Sequence, residues 1–369
     1  MDLKLLEKQI RKTGFVLENR VAHWLKAAGW TVISNKYYVD DFEESVREID
    51  LVAYQVQKAQ HLDVFTVLVI SCKKSESNIW ALLAREANLR DPNSDWWPLH
   101  AWSNDKAINF QLSEPNVARR CHDDAVARGV REVLGEPSVE VFAFQEMDGK
   151  SGAPRNDKPI FFAVTSLMKA QAYELGALPL RKKLPCVYQF NLISVVDAEM
   201  ARLMFRGNVI TSEPIDSEQY LARYIVKKKE TFSRIRFIKS SAFPTALDDY
   251  NRLHRANVAW LNQQCDAFYD GIMTDYRRNR VLIDDFKEQV GGNLSRRIRD
   301  GMKLNVDFND FWFYWDVSNK VLHVEVFADE NVITFLNSDD ASKARVGVAL
   351  SSVYRYTGSF VFAVDDIPF

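Results

Sequence analysis

Three short segments carry side chains suited to polar chemistry. The first is Gly14-Phe-Val-Leu-Glu18, where the glycine lies one helical turn before the carboxylate. Both then face the same way, and the missing side chain leaves room for a ligand or another backbone beside Glu18. The second is Glu48-Ile-Asp50, inside the strand-like run REIDLVAY. Period-two alternation puts Glu48 and Asp50 on one face, with Ile49, Leu51 and Ala53 on the other. Aspartate is disfavoured in strands, and a charge on a half-buried sheet needs a partner. The third is Ser71-Cys-Lys73-Lys74, at the end of the apolar run TVLVISCKKS. If the second and third strands pair, Asp50 and Lys73 meet at one sheet edge, either as a plain salt bridge or as part of a reactive site.

The chemistry that unites these residue types is phosphodiester hydrolysis. That reaction needs a hard cation to neutralise developing charge and to acidify a water. Magnesium takes oxygen ligands, commonly one or two carboxylates together with water and phosphate. A lysine beside it orients the attacking water and stabilises the charge that builds on phosphorus-bound oxygen. On this reading Asp50 is the main ligand of Mg2+ or Mn2+, Lys73 the water-side group, and Glu18 an outer ligand. Cys72, on the face opposite Lys73, is a small core residue.

The order GFVLENRVAHWLKAAGW, REIDLVAY, TVLVISCKKS resembles the restriction-endonuclease-like nucleases of the PD-(D/E)xK type, nearest to the Mrr-like group. Their pattern is a helical Glu, a strand Asp and then a strand (D/E)xK. Glu18, Asp50 and Lys73 match it over the first 90 or so residues. The resemblance implies an αβββαβ core with a mixed central sheet and DNA as substrate. It also implies a setting in bacterial restriction, anti-phage defence or repair, where a partner protein of a defence system is expected. Ser71 stands where the family has its second acid, and three readings follow. A subgroup of the family supplies the acid from the following helix, which points to Glu86, with Glu76 nearer in sequence but in a loop. On the second reading the site works with Glu18, Asp50 and water alone, and on the third the fold binds nucleic acid or protein without cutting it.

Cationic runs give a second line of evidence. Lys227, Lys228 and Lys229, followed by Arg234, Arg236 and Lys239, form a basic stretch interleaved with Phe232 and Phe237. Such residues supply the sequence-independent phosphate contribution to nucleic-acid binding, and equally they form solvated faces. Lys74 is expected at solvent or on a phosphate. Tyr276–Arg280 and Arg296–Arg299 are further basic candidates. Trp96, Trp97 and Trp102 are assigned to loop anchoring or core rather than to base stacking, and His122-Asp-Asp124 to a helix surface.

The chain has 369 residues, 47% hydrophobic and 27% charged, with a formal net charge of -2. These values fit a globular protein of one elaborated or two domains. A balanced net charge leaves room for a local basic cleft. The four cysteines form no CxxC pair, which argues against structural zinc or a disulfide framework. No apolar run is long enough to span a membrane and the first residues lack a signal-peptide pattern, so a cytoplasmic location is expected. No phosphate-binding loop, GxSxG or dinucleotide fingerprint is present.

The elements that must position these residues begin with an amphipathic helix over 3–28, closed by Gly29. Strands are expected at 30–38, 48–54 and 65–72, with an acidic turn at 40–45 and a helix at 78–89. A helix over 115–134 follows, then strands near 138–146, 159–164, 185–196, 221–226 and 235–239. A boundary near 241–244 divides a nuclease-like α/β domain, 1–243, from a C-terminal α+β region, 244–369. That region reads as helical over 245–300, then as a hairpin over 309–336, a helix over 341–356 and a last strand at 360–364. Its aromatic run FWFYWDV is read as a central buried strand or one packed at a dimer or partner interface.

Overall fold

The computed structural model describes residues 3–40 and 44–365. Part of the expected acidic turn, 41–43, lies outside the described residues. The fold is α/β, and it divides into two compact units, residues 1–105 with 114–262, and 106–113 with 263–369. The sequence placed the division near 243; there the chain instead enters the long helix Phe243–Tyr269.

In the first unit, α1 (Leu3–Ile10) is a separate helix that buries no side chain. It is followed by α2 (Gly14–Ala27), whose Leu17, Val21 and Leu25 recur every four residues and are buried. Gly29 closes α2 with φ +85°, while Trp30 N–H bonds Leu25 O and Gly29 N–H bonds Lys26 O, a Schellman pattern. A meander comes next: β1 (Thr31–Val39), β2 (Val46–Ala59) and β3 (Leu62–Glu86). Beyond them lie β4 (Ala101–Ser103), then α3 (Lys106–Ser113), which belongs to the second unit, and α4 (Val117–Ala127), α5 (Arg131–Leu134) and β5 (Val139–Asp148). Then come α6 (Lys158–Arg181), β6 (Cys186–Arg206), β7 (Val209–Pro214), β8 (Ser217–Val226), β9 (Lys229–Lys239) and α7 (Phe243–Tyr269).

Among the described residues nine strands form one mixed sheet, with the order β1-β2-β3-β6-β9-β8 along its main path. β1, β2 and β3 pair antiparallel, whereas β3–β6 and β6–β9 are parallel. One face packs on α6 through Ile160, Ala163, Leu167 and Met168. The other carries Leu17, Val21 and Leu25 of α2 and Phe243, Leu247 and Tyr250 of α7. Burial on both faces explains why β3 and β6 read as nearly continuous apolar runs. The sheet curls around α6, because both of its edges reach that helix. Lys36 of β1 meets Glu174 at 2.6 Å, and Lys227, in the β8–β9 turn, donates to Ala172 O at 3.1 Å.

The expected helix at 78–89 is the second half of β3. Its sequence, NIWALLARE, is rich in good helix formers, but Trp80, Leu82 and Ala84 alternate into the core on α6, and β5 and β6 pair it on both edges. The expected strand at 159–164 is the first turn and a half of α6, which has a proline at its N-terminus.

The second unit contains α3, the end of α7, and then α8 (Tyr276–Val281), α9 (Ile283–Met302) and, after the sheet begins, α10 (Glu330–Ser338). α11 (Asp340–Tyr354) completes it. Its sheet has the order β10 (Trp312–Asp316), β11 (Val321–Val326), β12 (Phe360–Val364). The aromatic run is therefore an edge strand, with Tyr314 57% exposed, and the buried centre is β11, through Leu322, Val324 and Val326. No described helix is long and apolar enough to cross a membrane.

Candidate active site

The β2–β3 ladder ends at the pair Leu51–Ile70. One residue further along, Asp50 takes the place of a ladder partner: its Oδ2 accepts the Cys72 backbone N–H at 2.6 Å and the Ser71 hydroxyl at 3.3 Å. Lys73 Nζ lies 3.7 Å from the same oxygen. Three donors thus converge on Oδ2, and Oδ1 has no hydrogen-bond partner among the described residues. The alternation expected in β2 is broken at this point. Ile49 joins the core on α6 together with Val52, while Leu51 and Ala53 pack beneath α2.

Glu18 enters from α2, half-buried. Burial raises its carboxyl above the usual range, the charge of Asp50 and more weakly that of Glu48 push the same way, and Lys73 partly offsets them. A carboxyl held up in this way sits in a field that a cation would relieve. A Cβ on Gly14 would come 3.6 Å from Glu18 Oε1, an ordinary contact, so the glycine keeps the approach open without being required by it. Glu48 is exposed and accepts from Asn35, whose φ of 53° is left-handed. Burial pushes the Cys72 thiol far up, as expected for a packed and unreactive cysteine.

A bulge follows directly. Four residues of β3, Ser75–Asn78, stand opposite one residue of β6, Ala198. β2 borders β3 up to Ile70 and β5 borders it from Asn78, so the stretch that carries Ser71 and Lys73 is flanked by neither ladder on that edge. A pocket of about 490 Å³ opens there, lined by Asp50, Lys73, Glu48 and Arg47, and by Phe161, Phe162 and Lys169 of α6. On the far side of the bulge, Asp197 accepts from Ser240 at 2.6 Å and pairs with Arg20 of α2 at 3.3 Å.

Glu18, Asp50, Ser71 and Lys73 are therefore brought together. Glu86 is not: it ends β3 opposite Val139, thirteen residues beyond Lys73, or roughly 40 Å along an extended strand. The helix that was to carry it back is absent because the strand continues. Glu76 pairs with Lys74 at 2.8 Å, and Lys74 also donates to Arg11 O at 2.8 Å. Among the described residues no three His, Cys, Asp or Glu side chains converge as a cation site.

The basic run divides. Lys228 and Lys229 are exposed, and Lys227 and Lys228 form the two-residue β8–β9 turn with φ of 49° and 61°. None of the three lines the pocket at Asp50. Arg234 and Arg236 are structural. Arg234 donates to Gly135 O at 2.8 Å and to Trp96 O, and burial lowers it to about 10. Arg236 is buried, 2.9 Å from Asp249, with a second bond to Ser217. Strand alternation and the packing of α7 turn both inward, so neither faces a nucleic acid. Trp96 is buried and Trp102 packs on the core, as expected of them.

No family model, curated protein or solved structure matches this chain.

Proposed function

We propose that the chain is a divalent-metal-dependent nuclease with a restriction-endonuclease-like core, hydrolysing DNA phosphodiester bonds in restriction, anti-phage defence or repair. The order α2, β1, β2, β3, then α6 and β6 after an insertion of β4, α3, α4, α5 and β5, with β6 parallel to β3, supports an elaborated αβββαβ reading. The observation that carries the proposal is the strand junction. Asp50 is fixed through one oxygen by Cys72, Ser71 and Lys73, keeps the other open, and shares its pocket wall with Lys73 and its field with Glu18.

Two oxygen donors of this kind fit Mg2+ or Mn2+, which bind through one or two carboxylates and leave the remaining positions to water and phosphate. Asp50 and Glu18 would hold the ion. When bound, it would supply charge neutralisation and an acidified water. Ser71 occupies the place of an acid and acts instead as a donor that orients Asp50. Lys73 presents an ammonium beside Asp50, where it stabilises negative charge building on phosphate oxygens.

One observation favours a second reading, a nuclease fold that binds DNA without cutting it. Among the described residues no carboxylate replaces the one that Ser71 lacks, since Glu86 is remote, Glu76 is paired with Lys74 and Asp40 with Lys169. Titration with Mn2+, followed by electron paramagnetic resonance, separates the two. The nuclease reading expects saturable binding that Asp50→Asn abolishes and Glu18→Gln weakens. DNA binding with no Asp50-dependent Mn2+ binding would favour the second.

A further inference from the structure

The pocket around Asp50 and Lys73 has an aromatic wall that a phosphate alone does not require. Phe161 and Phe162, in the first turns of α6, are 43% and 58% exposed. Phe161 meets Tyr224 of β8 edge-to-face at 6.1 Å, and all three rings line the same pocket as Asp50 and Lys73. The exposed phenyl rings adjoin Tyr224 on one side and the cations and carboxylates of the pocket on the other. Arg47 completes the wall on the β2 side.

This pairing of ring faces with phosphate-directed charge fits one kind of nucleic acid. In a duplex the bases are stacked on one another and present only their edges. An unpaired base offers a free π-face, and every base has one. The pocket, about 490 Å³, is large enough for a nucleotide. From this juxtaposition we infer that the substrate is single-stranded DNA: an unpaired base stacks on one of the two tilted rings, Phe161 or Phe162, and its phosphate lies against Lys73. The inference rests on the nuclease reading for the role of Asp50 and Lys73. The rings add the preference for an unpaired strand.

The test measures binding and cutting separately. Fluorescence anisotropy with a labelled oligodeoxynucleotide, single-stranded or annealed to its complement, is recorded in EDTA for the full chain. The variants are Phe161→Ala/Phe162→Ala and Phe161→Leu/Phe162→Leu; the leucine pair keeps apolar bulk and removes the ring faces. The single strand should bind more tightly than the duplex. Both double variants should lose roughly fivefold or more of single-strand affinity, the lower end of what one base–aromatic stack contributes, with duplex affinity unchanged. Equal affinity for the two DNA forms, or a leucine pair that binds the single strand like wild type, would overturn the inference. Cutting in Mg2+ then distinguishes the two failures. Duplex cleavage at wild-type rate by the leucine pair overturns the substrate assignment and leaves the nuclease reading standing. Ring-dependent single-strand binding with no cutting of either form overturns the nuclease reading and leaves the stacking surface in place.

Discussion

Replacing Asp50 should separate two things that the residue does. Its Oδ2 is the acceptor for the Cys72 N–H at 2.6 Å, in a residue only 5% exposed, and for the Ser71 hydroxyl. Asp50→Ala strands that backbone donor, which costs about 1–3 kcal/mol. The lost pairing with Lys73 adds at most about 1 kcal/mol, because at 3.7 Å and with its side chain 29% exposed the ammonium is well hydrated. The Ser71 hydroxyl can rotate. Asp50→Ala should therefore be destabilised by about 2–3 kcal/mol. Asp50→Asn keeps a carbonyl oxygen for Cys72 and should lose about 1 kcal/mol, the difference between a charge-assisted and a neutral hydrogen bond. Urea unfolding followed by tryptophan fluorescence reads both, provided the slope is unchanged. Equal stabilities for the two variants, or an alanine variant as stable as wild type, would refute the claim that Asp50 closes the β2–β3 ladder.

Glu18→Gln should be more stable than wild type at neutral pH. The raised carboxyl binds its proton more tightly in the folded chain than in the unfolded one. Stability is therefore lost as pH rises from its unfolded value through its folded one, and the gain from glutamine should vanish below about pH 4 in urea melts. His122 and His254 are each lowered to about 4, first by burial and then by Arg234 and Arg255 respectively. Both stay neutral in the fold and take up protons on unfolding below about 6.5, so stability should fall as pH drops from there towards 4. The slope should be up to about 1.4 kcal/mol per pH unit for each group, and His254→Asn should flatten it. Arg236→Met should destabilise the fold by several kcal/mol, up to about 3–5, because it leaves buried Asp249 with Arg252 alone, while the affinity of folded protein for DNA stays at the wild-type value.

Much of the site was legible because it depends on local rules. The spacing of Leu17, Val21 and Leu25 orients α2, and the Gly29 stop fixes where β1 starts. An aspartate inside REIDLVAY and a lysine at the end of an apolar run then find each other across an antiparallel pair. What failed was non-local. Residues 78–86 have the composition of a helix and become strand because β5 and β6 lie on either side. With that, Glu86 leaves the site altogether. Arg234 and Arg236 have the look of a basic surface, and only the packing of α7 and of the 96–135 segment turns them inward. Phe161, Phe162 and Lys169 were missed because 159–164 was read as strand. Pro159 near the helix start, followed by Ile160, Ala163, Leu167 and Met168 at helical spacing, was the available signal. Asp197 and Arg20 carry no local mark, since their pairing spans 177 residues.

The most direct measurement is single-turnover hydrolysis of labelled DNA by the wild-type chain, Asp50→Asn and Lys73→Ala, in Mg2+ and in EDTA. Wild type should cleave in Mg2+ alone, with both variants slowed by orders of magnitude while remaining folded and able to bind DNA. Cleavage that survives in Asp50→Asn, or that proceeds in EDTA, would contradict the nuclease reading.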